Sequence, residues 1–156
     1  MNRRTILASF AVAGLATPVL ARTQNRQWPP VQTADANLAL QGHDPVAYFT
    51  TGGPLAGDSA HQLTWNGAVW RFATAQNKAQ FTAEPTAYAP QFGGYCAWAT
   101  SRGYIAPGDA QHWRIVDNRL FLNFNDRART LWEQDITGNI VLGDRNWPRV
   151  LTENQG

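Results

Sequence analysis

The chain has 156 residues, of which 44% are hydrophobic and 15% charged, and this composition is typical of one small globular domain. Its 13 Lys and Arg residues outnumber the 11 Asp and Glu residues only because Arg3 and Arg4 stand at the N-terminus. Without that pair the chain is neutral and contains no basic run, which argues against nucleic-acid binding.

Residues 1–21 have the pattern of a cleavable signal peptide. A short positive stretch containing Arg3 and Arg4 precedes an apolar run that falls short of the roughly 20 residues of a spanning helix. Val19 and Ala21 fit the small −3 and −1 positions of a cleavage site after Ala21, and an uncleaved anchor is the alternative. We therefore expect export to the periplasm, by the general or the twin-arginine route, with no stable membrane insertion after cleavage.

Three further segments follow the signal peptide. Residues 22–37 are polar, include Pro29 and Pro30, and lack periodicity, which is typical of a flexible tether. Residues 38–151 carry the periodic patterns of a folded domain, and residues 152–156 form a short C-terminal tail. The chain has seven tryptophans and seven phenylalanines, and these rings are expected to supply much of the core of the mature protein.

The first elements of the domain have clear local signals. Residues 38–40 fit a short strand, and Asp44-Pro45 fits the N-cap and first turn of a helix that runs through Phe49. Asn66-Gly67, between two alternating apolar segments, predicts a β-hairpin with a type I′ turn. In that register the opposite pairs are Trp65 with Ala68, Leu63 with Trp70, and His61 with Phe72.

The second half of the domain repeats this mixture. Thr74 fits the N-cap of a helix that ends before Pro85, and residues 95–99 fit a short apolar helix. Residues 113–124 predict a second hairpin, and Asp126 fits the cap of a helix that is followed by a further one. The predicted fold is therefore α+β: a small antiparallel sheet built from two β-hairpins and packed with several short helices.

Several stretches of the domain carry a family resemblance. They are Gly42-His43-Asp44-Pro45-Val46-Ala47-Tyr48-Phe49, Trp65-Asn66-Gly67 with Trp70-Arg71-Phe72, Phe81 with Glu84-Pro85 and Tyr88-Ala89-Pro90, Phe92-Gly93-Gly94-Tyr95-Cys96-Ala97, and Leu120-Phe121-Leu122-Asn123-Phe124-Asn125. In this order they resemble the YHS domain family, in its secreted bacterial branch. Related TRASH-type modules handle heavy metals, above all copper, so the resemblance implies metal binding. Metal-binding relatives carry cysteines where this chain has Ala47 and Ala73, so their thiolate pair does not transfer.

Cys96 and His43 are the residues expected to hold a metal ion. A thiolate and an imidazole suit copper or zinc, and a thiol at the start of a helix has a lowered pKa. A closed site needs a further ligand, for which His61, His112, Asp44 and a water are the candidates.

Tyr48, Tyr95 and Trp98 are expected to line a pocket around the Cys96–His43 pair. The neighbouring glycines let the two backbone segments approach closely. The alternative is that Cys96 packs in the core as a small apolar residue while His43 forms a loop hydrogen bond.

The residues thus leave three functions open. The first is a periplasmic YHS-type protein that binds or carries a metal ion, copper by preference, without catalytic turnover. The second is an exported module that binds another exported protein and holds no metal. The third is a small enzyme that uses Cys96 with His43 or His112, although no oxyanion or phosphate-binding motif accompanies them, and no second cysteine is present for disulfide exchange.

Overall fold

The structure is a computed structural model that describes residues 27–152. The predicted signal peptide, residues 22–26 of the predicted tether and residues 153–156 of the tail lie outside these residues. None of the helices between residues 27 and 152 has the length and apolar character needed to cross a bilayer.

The described part of the chain contains six strands and six helices, joined in places by short 3-10 turns. The strands are β1 (Thr33–Ala34), β2 (Leu38–Ala39), β3 (Asp58–Trp65), β4 (Ala68–Phe72), β5 (Asp109–Val116) and β6 (Arg119–Asn123). The helices are α1 (Ala47–Thr50), α2 (Ala75–Ala83), α3 (Pro85–Tyr88), α4 (Ala97–Ser101), α5 (Asp126–Glu133) and α6 (Ile136–Asn146). The predicted α+β class is confirmed.

Both predicted hairpins are present, but they lie in separate sheets. One sheet has the strand order β1-β2-β4-β3, and the other contains only β5 and β6. Strand β2 runs parallel to β4 and pairs with it at Leu38 and Val69. Because β2 occupies the second edge of β4, the β5–β6 hairpin does not join the first hairpin there.

The first hairpin has the predicted turn and a corrected register. Asn66 and Gly67 have φ angles of 49° and 79°, as a type I′ turn requires. The predicted pairs Trp65 with Ala68 and Leu63 with Trp70 are both confirmed. The prediction that His61 faces Phe72 is wrong, because a bulge between Asp58 and Gln62 brings Asp58 opposite Phe72.

Of the three predicted helix caps, one is confirmed and two are displaced. Helix α1 begins at Ala47 with Val46 at its N-cap position, two residues after the predicted cap Asp44. The Thr74 side chain accepts a hydrogen bond from the Asn77 amide and caps α2, as predicted. The cap of α5 is Asn125 rather than Asp126, since its side-chain oxygen accepts from the Ala128 amide at 2.9 Å. Both residues are good N-caps, so local propensity alone does not separate them.

Residues 27–37 pack on the domain, whereas the sequence pattern of residues 22–37 suggested a tether. Val31 is only 4% exposed, and the Gln32 amide donates to the Gly93 carbonyl at 2.8 Å. Strands β1 and β2 also pair within the first sheet. This segment has no periodicity because it is held largely by backbone hydrogen bonds and single buried side chains.

The core of the described residues is divided into five hydrophobic clusters, and the two richest in aromatic rings lie on either side of a cleft. In the first, Phe81 of α2 packs on the first sheet, with its ring centroid 5.0 Å from that of Trp70. In the second, Phe121 of β6 lies 5.1 Å from Trp132 of α5. Phe92 is a buried member of this second cluster and also lines the cleft.

Candidate functional site

Cys96 is a buried thiol at the N-cap of α4. Its residue is 1% exposed and packs with Ala99 and Ala128. The thiol donates to the Asn123 side-chain oxygen, with a separation of 3.6 Å between the sulfur and that oxygen. The environment is that of a small apolar core residue with one polar neighbour.

The predicted lowering of the Cys96 pKa is not found. Burial raises the pKa of the Cys96 thiol, and the backbone N–H groups of Ala99, Phe124 and Trp98 offset this only in part. Helix α4 has only five residues, so its N-terminus contributes little against desolvation. The thiol is therefore held in its protonated form at neutral pH, whereas metal binding requires the thiolate.

The histidines of the predicted metal site have other neighbours. The His43 ring nitrogen Nδ1 lies 3.1 Å from the Leu40 carbonyl oxygen, and His61 lies half-buried in the bulged part of β3. His112 Nδ1 lies 3.2 Å from an Asp126 carboxylate oxygen. Between residues 27 and 152, no three His, Cys, Asp or Glu side chains are arranged to hold a metal ion.

Asp44, a candidate for the further metal ligand, is fully buried, and both of its carboxylate oxygens accept hydrogen bonds from the protein. One carboxylate oxygen accepts from the Val46 amide at 2.8 Å. The other accepts from the Ala73 amide at 2.8 Å and from the Asn77 side chain at 2.7 Å. Asp44 thus ties the start of α1 to the β4–α2 junction, and these bonds satisfy its buried carboxylate without a metal.

The three aromatics predicted to line one pocket lie in different clusters. The Tyr48 hydroxyl donates to the Ala110 carbonyl at 2.9 Å, and the Tyr95 hydroxyl donates to the Pro29 carbonyl at 3.0 Å. Trp98 borders the cluster around Cys96. Burial raises the pKa of Tyr95 to about 12 and raises that of Tyr48 further above its ordinary value. These tyrosines act as neutral hydrogen-bond donors that link segments of the fold.

A cleft of about 430 Å³ opens between the first hairpin and the second aromatic cluster. Its volume is in the range of small-ligand and peptide sites. It is lined by Pro30, Val31, Trp65, Asn66, Trp70, Thr86, Ala89, Pro90, Gln91, Phe92, Gly93, Trp147, Pro148 and Leu151. No charged side chain is among them.

The walls of the cleft are aromatic. Trp70 and Phe92 are buried and form its floor, while Trp65 and Trp147 are half-buried and stand at its rim. The Phe92 and Trp147 ring centroids lie 6.0 Å apart, and those of Trp65 and Trp70 lie 5.7 Å apart. Two pairs of tilted rings therefore present apolar surface to a ligand in the cleft.

Neutral polar groups surround these rings. Asn66 and Thr86 are exposed at the rim, and Gln91 is half-buried beside them. The Gln91 oxygen accepts from Arg119 Nε at 3.0 Å, while Arg119 is also paired with Asp144. Among residues 27–152 the Gln91 side chain accepts this bond through its oxygen, and its amide N–H groups face the cleft as possible donors.

Sequence reasoning missed this cleft. The sequence pattern assigned the tryptophans to the core. Trp65 and Trp147 are only half-buried, because one side of each ring packs on the core while the other lines the cleft. The walls come from residues 30–31, 65–70, 86–93 and 147–151, and no periodicity in the sequence links segments so far apart. The abundance of tryptophan without neighbouring basic charge was the only available signal.

Comparisons of the chain with protein-family models, with curated proteins and with solved structures give no match. The YHS resemblance stays a prediction from motifs.

Proposed function

We propose that this chain is a non-catalytic binding module that takes a neutral, proline-rich, extended segment of another exported protein. This is the second of the functions left open by the sequence. The observation that carries it is the uncharged cleft walled by Trp65, Trp70, Phe92 and Trp147.

The absence of charged side chains from the cleft lining favours a neutral ligand. With no ionised group in its lining, the cleft offers no compensation for the desolvation of a charged ligand. A neutral ligand with apolar faces enters at lower cost and gains the aromatic contacts.

The hydrogen-bonding groups favour a proline-rich segment among neutral ligands. A polyproline II chain has unpaired carbonyl acceptors and few N–H donors, and such chains dock in aromatic-lined grooves. Gln91 and Asn66 supply amide donors at the rim of the cleft. Since this kind of helix is already extended before it binds, it loses little conformational entropy.

The other two functions have less support in the described residues. Cys96 is buried with a raised pKa, His43 bonds its own loop, and Asp44 is saturated by hydrogen bonds. This donor set does not fit a closed metal site, and a buried protonated thiol does not fit a nucleophile. Metal binding stays a prediction that a titration of the protein with copper or zinc tests.

The cleft is tested by titration calorimetry with a short, acetylated and amidated peptide of alternating alanine and proline. We expect binding that changes little with salt, because no charge lines the cleft. Thr86→Arg, which brings bulk and charge to the rim, is expected to weaken binding by about tenfold or more.

Ala87→Arg is the matched control, since Ala87 is exposed on the same helix but does not line the cleft. This variant is expected to bind like the wild type. Equal loss in both variants, no binding of the peptide, or binding of a neutral oligosaccharide in its place would overturn the proposal.

Export is part of the same proposal and has its own test. Mass spectrometry of protein recovered from the periplasm is expected to give a chain that starts at Arg22. A full-length chain that begins at Met1 in the membrane fraction contradicts cleavage. Replacement of Arg3 and Arg4 by lysine blocks export only if the twin-arginine route is used.

A further inference from the structure

Strand β3 forms one edge of the four-stranded sheet. In a hairpin with a two-residue turn, the residues that flank the turn bond each other, so Trp65 and Leu63 direct their backbone groups toward β4. The backbone groups of Gln62 and Thr64 therefore point away from the sheet. Between residues 27 and 152, no backbone hydrogen bond joins them to another element.

Only part of the β3 edge is protected against pairing with another strand. Natural edge strands are protected by bulges, prolines or charges. The bulge of β3 lies between Asp58 and Gln62, at the end far from the turn. The stretch Gln62–Trp65 has regular pairing with β4 and contains no proline or charged residue.

A second groove, of about 340 Å³, lies beside this regular stretch, between β3 and α2. It is lined by Leu63, Thr64, Trp65, Lys78, Phe81, Thr82 and Pro85. In a strand added to β3, alternate side chains point to the face that carries Leu63 and Trp65, and these side chains enter the groove.

Lys78 gives this groove a preference for charge. It is the only charged residue in the lining and the only lysine of the chain. Its ammonium group takes part in no ion pair with the residues between 27 and 152. A carboxylate beside an apolar side chain therefore complements this groove.

We propose that an internal, extended segment of a partner protein adds to β3 as a further strand. One of its apolar side chains occupies the groove, and an Asp or Glu carboxylate lies at Lys78. A second copy of β3 fits less well, because Gln62–Trp65 supplies no acidic residue. This surface is separate from the cleft of the proposed function, although Trp65 borders both.

The test uses an acetylated, amidated peptide of alternating valine and threonine with one central glutamate, labelled for fluorescence anisotropy. We expect binding that weakens as salt is added, because one charge pair contributes. Thr64→Pro removes the outward N–H and is expected to weaken binding by about tenfold, since two strand hydrogen bonds are lost or distorted. Thr64→Val is the matched comparison, because it changes the side chain but keeps the N–H, and it is expected to weaken binding much less than Thr64→Pro.

The predicted contact between Lys78 and the peptide glutamate is tested by removing the lysine charge and by cross-linking. Lys78→Gln is expected to weaken binding by about threefold at low salt and to remove most of the salt dependence. A zero-length carbodiimide cross-link is expected to join the peptide glutamate to Lys78, which mass spectrometry can locate because the chain has no other lysine.

Thr82→Trp keeps the proposal testable if Thr64→Pro does not fold. Thr82 lines the groove and Ala83 does not, although both are exposed on α2, so Thr82→Trp is expected to block the peptide and Ala83→Trp to leave it bound. Thr86→Arg, which closes the other cleft, is expected to leave this peptide bound, so the two proposals fail separately.

Three outcomes overturn the proposal. One is binding that is unchanged in Thr64→Pro and in Thr82→Trp. Another is binding that requires a free peptide C-terminus, which would assign Lys78 to a terminal carboxylate. The third is concentration-dependent dimerisation in sedimentation that Thr64→Pro abolishes, which would assign the edge to a second copy of the chain.

Discussion

At the scale of single residues, the Asp44 side chain accepts several hydrogen bonds that join distant segments of the fold. Its carboxylate is fully buried and accepts from two amides and one side chain at 2.7–2.8 Å. Hydrogen bonds to a charged acceptor are among the stronger ones, and loss of the acceptor leaves buried donors unpaired.

Asp44→Ala is therefore expected to lower the free energy of unfolding by about 3 kcal/mol or more. Asp58→Ala is the control, since Asp58 is exposed and accepts a single hydrogen bond from Ala60, so its loss is expected to cost less than about 1 kcal/mol. Urea denaturation of both variants measures the difference. Equal stability of the two would contradict the role assigned to Asp44.

Cys96 gives a second test at this scale. Since burial holds its thiol protonated and 1% exposed, we expect it to react with thiol reagents only at the rate at which the protein unfolds. Rapid modification of the native protein, or tight binding of one copper or zinc ion that Cys96→Ser abolishes, contradicts this reading and restores the metal site. Reaction with a chromogenic disulfide, with and without urea, makes the measurement.

At the scale of elements, the first hairpin is the unit most strongly specified by local sequence. The Asn66-Gly67 turn has both residues at positive φ, and the Asn37 side chain donates to the Gly67 carbonyl at 2.9 Å. A side chain at Gly67 would meet no neighbour within 4 Å, so only backbone strain opposes a substitution there.

Gly67→Val is expected to destabilise the protein by about 1–3 kcal/mol, because a β-branched residue is strained at positive φ. Gly53→Val is the control, since its new Cβ would lie 3.9 Å from Trp113, an ordinary contact, and its φ is not in the left-handed region. Thermal melting of both variants decides the matter: the turn assignment fails if Gly67→Val melts no lower than Gly53→Val.

At the scale of the whole molecule, buried tyrosines join segments that are distant in sequence. Tyr48 of α1 bonds Ala110 of β5, and Tyr95 bonds Pro29 at the start of the described chain. Desolvation raises the pKa of both phenols above the ordinary value of 10.0. When the pH rises above that value, the unfolded chain releases these protons while the folded protein retains them, so the free energy of unfolding falls.

Tyr48→Phe is therefore expected to reduce this alkaline loss of stability. At neutral pH the same variant is expected to lose about 1 kcal/mol, because the hydrogen bond to Ala110 is removed. Urea denaturation at a series of pH values between neutral and strongly alkaline makes the comparison. If the two pH profiles run parallel throughout, Tyr48 does not contribute the predicted linkage.

The sequence by itself determined the local elements and the fold class. The type I′ turn at Asn66-Gly67, the Thr74 cap and the second hairpin each follow from interactions between near neighbours, and the structure confirms them. The register failed only at the bulge near His61, since the extra residues of a bulge leave no clear mark in the alternating pattern.

Only the tertiary structure decided which side chains meet. Cys96 was predicted to join His43, but its thiol bonds Asn123, which β6 brings beside α4. The aromatic cleft likewise depends on the approach of Trp65 and Trp147, which are far apart in the chain. Local patterns report hydrogen bonding and burial along one element, whereas a site depends on the packing between elements, and packing is set by all the side chains of the core together.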